Sequence, residues 1–339
     1  MRIWFNHSLS SLYDTISLIR QEMDEGEFEF FVTHKRETSF IRTVSDNYGL
    51  DFPVHSSSMP DGYVDWALAY CENNQIDAFV PYLHRIALSE HRHRFNAIGV
   101  NLVTAGGPAT MALIENKPRF LSKIADFGLK GTMFLPFRNL GEFDVAWGIL
   151  RQQHVQLCMK PAKGIYGAGF RVIHEGLDDY RSMVSGAASH ISLDLLRYSL
   201  ARSDQRVEMM LMPLLKGVER STDFVCHEGK LIDCVTRSKH ADGTRYVAPE
   251  TLHTEFARKI TEGLGLSGLL NFQTMEDDAG VPHILEVNSR TSGGIGQTIH
   301  ARVNLPLLFA RTLNGRSTSG TAQQESSSVA ENIRWIKVG

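Results

Sequence analysis

In the segment Ile284-Leu285-Glu286-Val287-Asn288-Ser289-Arg290, every second residue from Glu286 carries a functional group. Side chains on a strand alternate faces, so Glu286, Asn288 and Arg290 are expected to share one. Upstream stands Asn271-Phe272-Gln273, separated from it by a Gly-containing turn, Asp277-Asp278-Ala279-Gly280. The pair reads as two antiparallel strands, and Gln273 can join Glu286 and Asn288 from the neighbouring strand. One carboxylate and two amide oxygens are hard donors. They suit Mg²⁺ (or Mn²⁺), which favours oxygen ligands together with nucleotide phosphates. Arg290 can hold the phosphate that the metal does not reach. An isolated Glu-x-Asn-x-Arg is usually a polar strand edge. Here Ile284, Leu285 and Val287 make the strand half buried, and burying Glu and Arg without partners is costly.

A second chemical signal lies earlier. Val155–Pro161 reads as a strand carrying Lys160. It is followed by Lys163-Gly164-Ile165-Tyr166-Gly167-Ala168-Gly169-Phe170 and a second apolar strand, Arg171-Val172-Ile173. The backbone N–H groups around Lys163, Gly164, Gly167 and Gly169 can close on phosphate oxygens, and Lys160 can add a point charge. No Gly-Lys-Ser/Thr opens a helix here, so this is not a P-loop. A strand rather than a helix follows the glycines, so it is not a dinucleotide fingerprint either. A plain Gly-rich hairpin is the competing reading. A third segment, Leu211-Met212-Pro213-Leu214-Leu215-Lys216-Gly217-Val218-Glu219, is apolar and then turns polar. Leu211, Met212 and Leu214 can flank an adenine ring that bonds to the main chain, and Glu219 can orient ribose or a phosphate-binding lysine. An ordinary core strand would look the same.

In this order the segments resemble the ATP-grasp superfamily. The strand lysine and glycine loop resemble its flexible lid, and the stretch ending Gly217-Val218-Glu219 its hinge. Gln273, Glu286, Asn288 and Arg290 resemble its metal and phosphate set. Ile114-Glu115-Asn116-Lys117-Pro118-Arg119-Phe120 resembles the helix start that supplies a first ATP cation, Lys117, with Lys123 as the alternative. The resemblance spans roughly residues 1–314. Over the whole length the chain also looks like the branch associated with tellurium- and stress-resistance clusters. One departure stands out: Met212-Pro213 occupies the place where many members carry an acidic ribose ligand, which leaves the ribose contact open.

The resemblance implies an α/β fold, α+β in its catalytic part. A doubly wound Rossmann-like domain is expected over residues 1–112. Linker helices and a small mobile lid follow over 113–207, then a catalytic sheet over 208–339 with a flexible segment near 316–329. It further implies ATP and Mg²⁺ as ligands, with Lys117 and Lys160 on the phosphates. The implied reaction activates a small carboxylate as an acylphosphate, releases ADP and joins the acyl group to an amine or similar nucleophile. Arg290 would stabilise the transferring phosphoryl group. Arg237, on the strand after Glu228-Gly229-Lys230, would assist, an exposed strand arginine being the plainer reading. A small-molecule kinase on the same scaffold and a nucleotide-binding regulator without turnover are the rivals. A dehydrogenase is disfavoured, because no Gly-x-Gly-x-x-Gly follows the first strand.

Bulk properties are those of an ordinary soluble globular protein. Apolar residues make up 42% and charged residues 22% of the 339, and net charge is −3. No long basic run suggests nucleic acid or a membrane surface; Arg85 and His91-Arg92-His93-Arg94 form the densest cationic patch, read as a solvated helix face. Cys71, Cys158, Cys226 and Cys234 show no Cys-x-x-Cys spacing and read as buried thiols. A start that turns polar at Asn6-His7 and the lack of a spanning apolar run predict a cytoplasmic protein. The sequence does not specify the oligomeric state; a homodimer is the commonest soluble assembly.

Periodicity organises the rest. Strands are expected at Ile3–Phe5, Phe28–Val32, Asp77–Tyr82 and Val100–Thr104. Helices are expected along Leu12-Ile16-Ile19-Met23, in a short segment ending near Gly49, from an Asp61 cap to Asn74, over His84–Ala97, over Ala109–Gly128 and over Thr251–Leu264. Repeated β-α-β predicts a parallel sheet with ligands at its carboxyl ends, near Asn6-His7-Ser8, Pro81–Arg85 or Ala105-Gly106-Gly107. Ser292-Gly293-Gly294-Ile295-Gly296 is expected to open a helix that could take an anion. Residues 333–338 are expected to return as an edge strand.

Overall fold

A computed structural model describes residues 1–6, 10–53, 59–154, 156–164, 167–186, 188–204, 207–240, 242–316 and 325–330. Two compact units emerge: one from Met1–Ile114, Glu219–Gln273 and the segment from Val287 onward, the other from Glu115–Val218 and Thr274–Glu286.

The first unit opens with a five-stranded sheet. Its strands are β1 (Arg2–Asn6), β2 (Glu29–His34), β3 (Asn47–Leu50), β4 (Ala78–Pro81) and β5 (Asn101–Leu102), in the order β3-β2-β1-β4-β5. All four pairings are parallel. Helices α1 (Ser11–Glu22), α2 (Tyr63–Asn74), α3 (Arg85–Glu90), α4 (Arg92–Ala97) and α5 (Pro108–Ile114) accompany it. Strand alternation explains the two cores. Ile3 and Phe5 pack with Leu12, Ile16 and Ile19 of α1. Trp4 faces the other way, with Phe79, Val64 and Ala67 of α2, and Phe95 of α4. A strand buried on both faces reads as a continuous apolar run, which Ile3-Trp4-Phe5 is.

Four local expectations need correction. The segment ending at Gly49 is a 3₁₀ turn, Phe40–Thr43, followed by β3; pairing with β2 outweighs helical tendency there. Gly62 (φ +79°), not Asp61, occupies the cap of α2, and no side chain caps it. The helix over 84–97 breaks at His91, where Arg92 turns to donate to Leu102 O, Thr104 Oγ1 and Gly106 O. The helix over 109–128 is interrupted before Asn116 and becomes 3₁₀ at Ile124–Phe127; Gly128 (φ +67°) closes it.

The second unit holds a sheet of order β6-β10-β7-β8-β9, formed by β6 (Leu135–Phe137), β7 (Leu157–Pro161), β8 (Arg171–His174), β9 (His190–Ser192) and β10 (Met209–Pro213). Its helices are α6 (Lys117–Lys123), α7 (Leu140–Arg151), α8 (Asp179–Val184) and α9 (Leu193–Arg202). Phe143 and Leu150 of α7 and Leu196 of α9 cover Leu157, Met159 and Leu211.

A third sheet has the order β15-β14-β11-β12-β13-β16. Its strands are β11 (Glu219–His227), β12 (Lys230–Lys239), β13 (Arg245–Ala248), β14 (Gly268–Glu276), β15 (Pro282–Asn288) and β16 (Ser327–Val329). The helix α10 (Thr251–Leu264) has the expected bounds, and α11 (Leu305–Leu313) follows. Within the stretch expected to be flexible, β16 pairs with β13 as the edge strand. The strand expected at 333–338 lies outside the described residues, as do His7 and Ser8. The segment after Ser292 forms a 3₁₀ helix, Ile295–Ala301, not an α-helix. Its Gly294 N–H is taken by Ser292 Oγ at 3.3 Å.

Candidate functional site

In the second unit, three residues singled out from the sequence come together. Asn116 caps α6 by accepting from Arg119 N at 3.0 Å, and Lys117 follows as the first helical residue. Its backbone N donates to Ala162 O at 3.0 Å, which ties α6 to the end of β7. Lys117 Nζ donates to Gly164 O at 2.8 Å and stands 3.5 Å from Glu286 Oε2. Lys160 Nζ lies 3.8 Å from the same oxygen and donates to Leu285 O at 3.4 Å. The lysine side chains are only 11% and 14% exposed and Glu286 18%. Desolvation depresses the Lys160 ammonium; Glu286 opposes that effect and Lys117 adds to it. Two shielded cations thus share one carboxylate and leave the cluster one positive charge in excess. Such a cluster favours an added anion.

The glycine loop is bent where the sequence requires it. Gly164, Gly167 and Gly169 have φ of +145°, +65° and +79°, and a Cβ at Gly169 would come within 2.7 Å of the Pro161 ring. Lys163 and Gly167 are exposed, while Ile165 and Tyr166 lie outside the described residues. The apolar segment is largely strand. Leu211 and Met212 lie in β10, which pairs with β6 and β7, and Leu214 N donates to Gln156 O at 3.0 Å. Much of that backbone is therefore committed to the sheet. Gly217 N donates to Glu276 O at 3.2 Å, and a Cβ at Gly217 would meet Glu276 at 2.5 Å.

The first unit holds a second cluster. Arg237 is not the exposed strand residue of the plainer reading. It is 7% exposed, and its Nη2 donates to Asp223 Oδ2 at 2.7 Å, Ser292 Oγ at 2.8 Å and Ser221 Oγ at 3.0 Å. Asn271 Nδ2 reaches Ser221 Oγ at 2.9 Å and Asp223 Oδ1 at 3.2 Å, and Asn288 Nδ2 donates to Asn271 Oδ1 at 3.4 Å. Arg237, Glu219 and Gln273 line one cavity of about 200 Å³ together with Ser221, Lys239, Arg245 and Ser292-Gly293-Gly294. Asp223 and Ser292 had no role in the sequence reading as partners of Arg237. The local cue was an aspartate directly before the apolar run Phe224-Val225-Cys226.

Arg290 is placed differently from expectation. β15 ends at Asn288, so strand alternation does not carry on to Arg290. Arg290 is buried, donates to Thr291 O at 3.0 Å, and lines a separate cavity of about 30 Å³ with Thr15, Tyr82, Thr104 and Ala105. By volume that space is on the scale of a water molecule or two. Pro81 and Ala105, two of the expected carboxyl-end positions, line the same small cavity. All four cysteines are buried free thiols. Among the described residues, no helix is long and apolar enough to cross a membrane.

Comparison with known proteins bears on this arrangement. Residues 205–336 match the family described as ATP-grasp in the biosynthetic pathway with Ter operon. No curated protein matches by sequence. Among solved structures, the chain is similar to the biotin carboxylase domain dimer of Hydrogenobacter thermophilus 2-oxoglutarate carboxylase, in complex with MgADP, ADP and bicarbonate. There the TM-score is 0.64 at 12% identity, covering 93% of this chain and 69% of that one. It is also similar to the ADP complex of purK, N5-carboxyaminoimidazole ribonucleotide synthetase, with TM-score 0.66, 16% identity and coverages of 92% and 77%. The L-amino acid ligase from Bacillus licheniformis gives 0.63, 13%, 96% and 78%. Identities this low speak to fold. The chain thus shares its architecture with these structures over nearly its whole length, and its residues 205–336 match the ATP-grasp family model.

Proposed function

We propose that the chain is an ADP-forming ligase, which uses ATP to activate a small-molecule carboxylate and joins the acyl group to an amine or similar nucleophile. The observation that carries this reading is the meeting of Lys117 and Lys160, from separate segments, on Glu286. Two shielded ammonium groups suit a polyphosphate, and the carboxylate between them suits a divalent cation accompanying it. The solved structures named above add support: one holds MgADP and bicarbonate, and another is an amino acid ligase.

In this reading Glu286, with Gln273 and Asn288, holds Mg²⁺, which neutralises charge on the phosphate oxygens. Lys117 and Lys160 bind the α- and β-phosphates. The N–H groups of the loop at Lys163, Gly164, Gly167 and Gly169 close over them. Leu211, Met212 and Leu214 supply apolar surface for the base. Glu219 takes the orienting role. A substrate carboxylate oxygen bonds to the γ-phosphorus as the bond to the ADP oxygen breaks. The amine nitrogen then bonds to the acyl carbon, phosphate departs and the ammonium proton leaves to solvent. Phosphoryl transfer of this kind demands charge stabilisation and positioning above all. Of the two arginines proposed for the transferring group, Arg237 lines the larger cavity and Arg290 does not, so the role falls first to Arg237.

The test is turnover with Mg²⁺-ATP against pooled carboxylates and amines, resolving ADP from AMP, with Glu286→Ala as control. ADP and phosphate that require both substrate classes are the expected result. ADP formed with a lone hydroxyl substrate would make the protein a kinase. AMP would exclude the acylphosphate route.

A further inference from the structure

The cavity beside Arg237 is lined by two further cations, Lys239 and Arg245. Register places Lys239 of β12 directly opposite Arg245 of β13. Like charges facing across strands are destabilising, so the pair calls for an anion. Two carboxylates stand nearby, and neither suffices. Glu219 lies opposite Lys239 on the other side. Asp223 is fully buried and engaged by Arg237. Arg245 donates to the carbonyls of Gly243 and Thr244, and Lys239 has no ion pair among the described residues. In the same cavity, the Arg237 guanidinium lies against Gly294, where any Cβ would collide with it, and Gly293 also lines the space. The cavity, about 200 Å³, is smaller than a pocket for a drug-sized ligand and suits a small acid.

We propose that the carboxylate substrate bears a second anionic group, a carboxylate or phosphate, which Lys239 and Arg245 bind while Arg237 faces the end to be activated. This deepens the ligase reading and rests on it. The geometry supplies two cationic ends in one cavity. Arg237 is fixed by Asp223, Ser221 and Ser292, whereas Lys239 and Arg245 stand on the side of β13. A monoanion held at Arg237 would leave Lys239 and Arg245 with Glu219 alone opposite them.

The experiment is calorimetric titration of the full chain, first with Mg²⁺-ADP, then, at saturating Mg²⁺-ADP, with matched acids: glutarate against butyrate, succinate against propionate, and 3-phosphoglycerate against glycerate. The expected result is that at least one acid with a second anionic group binds about tenfold more tightly than its monoanionic partner. Lys239→Gln and Arg245→Gln should each lower that preference by about two- to fivefold, as partly exposed charge pairs do, and leave Mg²⁺-ADP affinity unchanged. ADP binding without preference for any acid with a second anionic group would overturn the inference alone. Equally damaging would be variants that weaken Mg²⁺-ADP instead, for the cations would then serve the nucleotide. Failure of the wild-type chain to bind Mg²⁺-ADP would overturn the ligase reading and this inference with it.

Discussion

Lys117 Nζ stands 3.5 Å from Glu286 Oε2, and Lys160 reaches the same oxygen at 3.8 Å. One carboxylate therefore screens two ammonium groups that would otherwise repel each other. The arrangement couples the fate of all three: removing the acid unbalances the lysines, and removing either lysine frees the acid toward the other.

Glu286→Ala and Lys160→Ala should each lower ATP turnover by about a hundredfold or more, the scale on which loss of one electrostatic partner acts in a shielded site. Circular dichroism of both variants should match the wild type. Full activity in either would refute the site assignment.

Arg237→Met should destabilise the first unit by about 3–5 kcal/mol, because Asp223 would remain buried without its cation. Asp223→Leu combined with Arg237→Met should recover much of that loss, since neither charge then stays buried. Urea denaturation of the two variants decides this; equal stability of the single variant and the wild type would contradict it.

Gly217→Ala tests the close approach to β14. The added Cβ would lie 2.5 Å from Glu276 Cβ and 2.8 Å from its carbonyl oxygen. Backbone cannot give way as a flexible side chain can, so a loss of about 1–3 kcal/mol is expected. Thermal melting reads it, and an unchanged Tm would mean that the segment moves aside freely.

The turn between β14 and β15 should show in acid stability. Asp277 is hydrogen-bonded by His283 and by the amides of Val281 and Ala279, which holds its carboxyl at about 2, below the usual 3.8. The folded state thus keeps the carboxylate charged more readily than the unfolded chain. Its contribution is fully present above pH ~4 and is lost as pH falls through about 2. Asp277→Asn should flatten the decline of stability over that window, measured by urea midpoints at successive pH values. Identical slopes would dismiss the linkage.

Much of the architecture was legible because it depends on local periodicity. The 3.6-residue pattern marked α1 and α10, and the apolar runs marked β1, β2 and β4. Alternation within β15 singled out Glu286 and Asn288, a lysine on β7 singled out Lys160, and Asn116-Lys117-Pro118 marked a helix start that carries Lys117. Other features depend on which strand lies beside which, and these only the tertiary structure decided. The register of β11 against β12 sets Ser221 opposite Arg237 and brings Asp223 to the same guanidinium. The register of β12 against β13 sets Lys239 opposite Arg245. Parallel pairing with β2 turned the segment before Gly49 into a strand, and inward hydrogen bonds of Arg92 accompany the helix break at His91. The end of β15 at Asn288 took Arg290 out of the alternation and into a small buried cavity. Sequence spacing reports the face on which a side chain emerges. It does not report what stands across from that face, because partners far apart along the chain are chosen by the packing of the whole fold.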